Sequence, residues 1–120
     1  MADRVMFISW GENVAGREAR GLEVFNEVVG MYGRMQQEGR IESFDVVLLG
    51  AHAGLDGYIE VRGSAEQIAA LRESDEFLQS MSDASLVVHQ LRHVEGYTGA
   101  GIARVMSMYE ASIAATPQHA

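Results

Sequence analysis

The apolar residues of this chain switch between two periods in one order, strand, helix, strand, strand, helix, strand, and that order admits few folds. Residues 4–10, RVMFISW, are β-branched and aromatic with no breaker, the pattern of a strand. From Val14 to Gln37 the period lengthens. Leu22, Val24, Phe25, Val28, Val29, Met31, Tyr32 and Met35 fall on one half of a helical wheel, with Glu23, Asn26, Glu27, Arg34 and Gln37 on the other. The Glu38-Gly39 pair ends this amphipathic helix. Gly21 falls in the middle of its apolar face, where a missing side chain lets the helix approach a sheet closely.

A second strand follows in RIESFDVVLLG (40–50), then a glycine-rich turn, AHAGLDG, in which His52 reads as a solvated loop residue. GYIEVRG (57–63) is the third strand, with Ile59 and Val61 on one side and Tyr58, Glu60 and Arg62 on the other, and the two strands form a hairpin. Glu60 and Arg62 read as partners in cross-strand pairs. Ser64 opens SAEQ, a capping box in which Ser64 and Gln67 satisfy each other's free amides. The helix it starts buries Ile68 and Leu71, and DEFLQSM adds Phe77, Leu78 and Met81. SLVVHQLRHV (85–94) is expected as the fourth strand. After EGYTGAG a last helix carries Ile102, Val105, Met106, Tyr109 and Ile113 on one stripe, and the tail TPQHA frays.

This is the ferredoxin-like plan of the α+β class: a β-α-β-β-α-β chain making an antiparallel four-stranded sheet with two helices on one face, here with an extra C-terminal helix. Residues 1–120 are expected to form one such domain. A sheet with one wet face should alternate apolar and polar residues. The first strand instead sets Val5 and Phe7 on one side and Met6, Ile8 and Trp10 on the other; the second ends in VVLL; the fourth opposes Leu86 and Val88 to Val87 and Leu91. Two helices shelter one face, so the other is expected to meet a second copy of the chain in a homodimer joined sheet to sheet.

In GRIESFDVVLL, GYIEVRGSAEQIAAL and LRESDEFLQSM the chain resembles uncharacterised bacterial members of the dimeric α/β-barrel superfamily over residues 4–95. In that superfamily two ferredoxin-like subunits close their sheets into a shared barrel. Its members include cofactor-free quinol-forming monooxygenases, muconolactone isomerases, haem peroxidases and chlorite dismutases. The resemblance therefore implies a fold and a small-ligand cavity, and leaves the reaction open.

Composition narrows the choice by exclusion. Cysteine is absent, which removes disulfides and thiolate chemistry, and the nine cations are all arginine, which removes Schiff-base lysines. A net charge of −8 with scattered arginines disfavours nucleic acid. No apolar run nears the ~20 residues that cross a bilayer and no signal-like start is present, so a cytoplasmic protein without a membrane partner is expected.

The stretch GENVAGRE (11–18) has the glycine spacing of a phosphate-binding loop but sets Arg17 and Glu18 where that loop needs Lys and Ser or Thr. GAGIAR (99–104) lacks the third glycine of a dinucleotide fingerprint. Both are turns. Trp10, Arg17 and Glu18 nevertheless cluster in sequence, and an aromatic wall beside an Arg and a Glu suits a small planar or anionic ligand; the plainer reading makes the two charges exposed first-turn residues. His89 and His93 have the spacing of a helical zinc site, but on a strand four residues span ~13 Å and no metal site is assigned. His89, beside Val87 and Leu91, reads either as a general base or haem ligand, or as a hydrogen-bonded core or interface histidine.

The expectation is a homodimer holding a small organic ligand between sheet and helices, with Trp10, Arg17 and Tyr58 binding it and His89 and Glu18 as candidate catalytic groups. Proton abstraction from a carbon acid or phenol is the simplest chemistry, and the resemblance implies oxygen addition or isomerisation without a cofactor. No motif around His89 matches the haem-binding relatives, so no cofactor is assigned. The alternative is a non-catalytic dimer, a ligand-binding sensor or structural protein, whose cavity is filled by its own side chains.

Overall fold

A computed structural model describes residues 2–50 and 54–117. His52 and the last three residues of the tail lie outside the described residues. β1 (Arg4–Trp10) runs through the middle of a four-stranded sheet, antiparallel to β3 (Gly57–Gly63) on one side and to β4 (Arg92–Tyr97) on the other. β2 (Ser43–Leu48) pairs antiparallel with β3, so the order is β2-β3-β1-β4, and the fold is ferredoxin-like as the hydrophobic periods predict. No helix among the described residues is long and apolar enough to cross a membrane.

Three helices cover one face. α1 (Glu18–Gln37) buries Gly21, Val24, Val28, Met31, Tyr32 and Met35, a stripe at the i, i+3, i+4 spacing. It starts later than Val14, because Gly16 takes a left-handed φ of 84° and breaks the helical path. α2 (Ala65–Glu73) opens on the predicted capping box: the Ser64 amide donates to Gln67 Oε1 at 2.8 Å, and the Gln67 amide donates to Ser64 Oγ at 3.1 Å. These helices close over Met6 and Ile8 of β1 and Ile59 and Val61 of β3 to form the core. Within it the Tyr32 hydroxyl is buried with no hydrogen-bond partner, its ring 5.9 Å from that of Phe44.

The fourth strand is a correction. Residues 85–94 were expected to form it, but α3 (Asp75–Ser85) runs on into that stretch, Leu86 caps it, and only Arg92–Tyr97 joins the sheet. Ser74 caps the start of α3 by accepting from the Phe77 amide, and Phe77, Ser80 and Ala84 are buried along one side of the helix. Val87 then turns into the core while its backbone pairs with the β1–α1 loop: the Val14 amide donates to the Val87 carbonyl at 2.8 Å. Strand propensity in LVVH loses to tertiary packing, as it does where burial decides.

The open face of the sheet is consequently more mixed than an all-apolar surface. β1 sets Val5 and Phe7 there, β3 sets Tyr58, Glu60 and Arg62, β2 sets Asp45 and Val47, and β4 sets Arg92 and Val94. The Phe7 and Tyr58 rings stand 5.2 Å apart. Beside them the Arg62 guanidinium donates across to Asp45 on β2 at 2.6 Å, the cross-strand pairing that the sequence suggests for Arg62, and along its own strand to Glu60 at 2.5 Å, so Glu60 pairs within β3. α4 (Ala100–Ala114) follows β4, and Gly101 is its one buried residue.

Candidate functional site

β1 and β2 both end in large apolar residues, Trp10 and Leu48, at the edge of the helix-covered face. Here α1 and α3 part and leave a cleft of about 280 Å³. Ile8 and Ile59 form its sheet side. Val24, Phe25 and Val28 line it from α1, and Met81, Ala84, Val87 and Leu91 line it from α3 and the following turn. The Trp10 indole meets the Phe25 ring edge-on, centroids 6.0 Å apart, and the pair makes an aromatic corner. Among the described residues, polar character enters through two side chains, Asn13 and Glu18. An apolar cleft with few polar groups is the common form of a small-molecule site, and this volume lies near the lower end of the range, about 300 Å³.

Gly21 is buried as the sequence predicts, but its neighbour is a loop and not the sheet. A Cβ there would stand 2.5 Å from Asn13 Oδ1 and 3.9 Å from Val87 Cβ, so the glycine lets the β1–α1 loop lie across the first turns of α1.

The structure brings two of the five sequence-predicted residues together and sets three apart. Trp10 and Glu18 both line the cleft. Arg17 lines a neighbouring hollow with Arg20, Asp83, Leu86 and Val87, the last of which also borders the cleft, and its guanidinium donates to the Leu86 carbonyl at 2.6 Å, tying the start of α1 to the end of α3. Tyr58 stands on the open face of the sheet, across β3 from Ile59. His89 is exposed in the α3–β4 turn and not on an apolar strand face; its backbone is what it uses, accepting from the Gly11 amide at 2.8 Å and donating to Glu12 at 2.9 Å. His93, on β4, sets its ring edge-on to Phe77 at 5.7 Å. Among the described residues no cluster of three His, Cys, Asp or Glu side chains is arranged to hold a metal ion.

Asn13, Phe25 and Leu48 are cleft residues that the sequence did not single out. Phe25 was visible as part of the helical stripe, and its place at the N-terminal half of α1 beside Trp10 was the available signal. Leu48 and Asn13 gave none, because each depends on where a neighbouring loop ends.

No protein-family model matches the chain, and neither does any curated protein. Among solved structures it is similar to a dimeric protein of unknown function and ferredoxin-like fold from Bacteroides fragilis, at 10% identity and a TM-score of 0.59, over 79% of this chain and 96% of the other. It is also similar to SnoaB, a cofactor-independent oxygenase from Streptomyces nogalater, at 16% identity and a TM-score of 0.49, over 82% of this chain and 93% of the other. The first likeness establishes the fold; the second is too loose to bear on mechanism.

Proposed function

We propose that this chain forms a homodimer through its open sheet face, each subunit binding one small, mainly apolar molecule in the cleft between β1 and α1. The observation that carries the binding reading is the cleft itself: an aromatic corner of Trp10 and Phe25 over an aliphatic floor, with one ionisable side chain among the described residues, Glu18. Dimerisation is supported by the Phe7, Tyr58, Val47 and Val94 side chains that share the open face, and by the dimeric state of the Bacteroides fragilis protein of the same fold.

The charge of the lining selects among ligands. An anionic ligand had Arg17 to recommend it, and Arg17 lies outside the cleft. A carboxylate beside Glu18 would be repelled in a chain that already carries −8, whereas a neutral or cationic ring bearing a hydrogen-bond donor is matched by the Glu18 oxygens and the Asn13 amide. Binding needs no second group, whereas a proton relay does, and Glu18 is the one ionisable cleft residue among the described residues. If the cleft is catalytic, the Glu18 carboxylate takes a proton from a phenol or an activated carbon acid held against Trp10.

Trp10 is the single tryptophan, so its fluorescence reports on this cleft. Titration with 2-naphthol, benzamidine and benzoate should give saturable quenching by the first two and much weaker quenching by benzoate. The melting temperature should rise in parallel, and Trp10→Ala should abolish that rise. Absence of a saturable response to all three at millimolar concentration rejects the binding reading and favours a cleft that serves structure alone.

A further inference from the structure

We infer that α4 is a clasp that lies on the second subunit of the dimer and supplies a large part of its interface. The inference rests on the homodimer proposed above and adds to it the element that holds it. Ile102, Met106, Tyr109 and Ile113 recur on one stripe of α4, and each is between 41% and 59% exposed. An amphipathic helix in a folded domain normally buries such a stripe. This one buries only Gly101.

The shape of the subunit says why. Its radius of gyration is 17.1 Å and it measures 55 × 38 × 23 Å, against a radius of about 14 Å for a compact domain of this length. A helix of fifteen residues is about 22 Å long, so an arm standing off the body accounts for the excess. The arm is fixed at its root. The Thr98 amide donates to the Asp3 carbonyl at 3.1 Å, Gly99 takes a φ of 54°, and a Cβ on Gly101 would collide with that same carbonyl. A rigid launch with a greasy stripe suits a defined docking partner better than a loose tail.

Area identifies the partner as a second copy. Four strands about 4.8 Å apart and about 20 Å long give the open sheet face a flat footprint of only roughly 400 Å², a narrow base for the ~800 Å² of accessible surface that each side of a stable dimer contributes. That face also spends part of its area on the Arg62, Asp45 and Glu60 ion pairs. The α4 stripe adds four exposed apolar side chains on one element, and it springs from β4, whose Val94 is on the same open face. A lipid surface is the poorer occupant: α4 carries one arginine and one glutamate on a chain of net charge −8, which anionic headgroups repel.

The test uses the full chain. Light scattering and sedimentation over a concentration series should show a dimer, and Met106→Glu with Tyr109→Glu should raise the dissociation constant at least about 100-fold while leaving the circular dichroism of the body unchanged. Because the chain has no cysteine, Met106→Cys gives a single attachment point for a benzophenone label. Irradiation should yield a covalent dimer, absent when Val94→Glu breaks the sheet interface. A wild-type dimer that survives the α4 substitutions with unchanged affinity, or a label that crosslinks only within its own chain, overturns the clasp while the dimer stands. A wild-type chain that stays monomeric throughout overturns both.

Discussion

The indole of Trp10 occupies the space that a side chain at Gly57 would take: a Cβ there would stand 2.7 Å from Trp10 Cζ2 and 2.9 Å from the Val47 carbonyl oxygen. The two residues face each other across β1 and β3, and Leu48 faces Gly57 from β2. The glycine thus lets an aromatic ring lie over the strand it pairs with, the arrangement by which aromatics compensate glycines in sheets. Gly57→Ala is therefore expected to displace the indole, destabilising the fold by about 1–3 kcal/mol as overpacking does. Urea unfolding measures the loss, and a shifted Trp10 emission maximum with weakened 2-naphthol binding locates it in the cleft.

Glu18 should set the charge preference of the proposed site. Glu18→Gln should shift the benzamidine-to-benzoate affinity ratio by about 3–5-fold toward benzoate, the size of an exposed charge interaction. Competition against 2-naphthol fluorescence gives the ratio directly. An unchanged ratio would remove Glu18 from the ligand's surroundings.

Arg17 and His89 should behave as structural residues. Arg17→Ala removes the hydrogen bond to the Leu86 carbonyl and should cost about 1 kcal/mol, with ligand affinity preserved. His89→Ala keeps the backbone bonds to Gly11 and Glu12 and should stay within about 0.5 kcal/mol of wild type with unaltered binding. Loss of binding in either would return that residue to the site.

Tyr32 buries a hydroxyl that no group satisfies, so Tyr32→Phe should be neutral or stabilising, by up to about 1–2 kcal/mol. The same burial pushes the phenol well above the ordinary tyrosine range. Between the unfolded value, about 10, and the raised folded one, the native state keeps the proton that the unfolded chain releases, so stability is intact below pH ~10 and falls as pH rises above it. Removing the phenol should flatten that alkaline decline, which unfolding curves at pH 9 and pH 11 compare.

Local signals carried much of this fold. The capping box at Ser64 and Gln67, the alternation of Ile59 and Val61 against Tyr58, Glu60 and Arg62, and the 3.6-residue stripe of α1 are short-range patterns, and each formed where it was expected. LVVH failed because its fate turns on a distant loop: β-branched residues that read as strand became the plug and backbone partner of residues 11–14. The candidate site divides in the same way. Trp10 and Glu18 were legible because the end of a strand and the start of a helix fix them, whereas Arg17, one residue away, was drawn aside by a carbonyl 69 positions later.

By itself the sequence determined the order of periods, and with it a sheet of four antiparallel strands carrying helices on one face, because a side chain's face follows from spacing along its own element. Only the tertiary structure decided where the cleft opens, which charge lines it, and that α4 stands uncovered. Those depend on how separate elements approach one another, and the energy of such contacts lies between residues far apart in the chain.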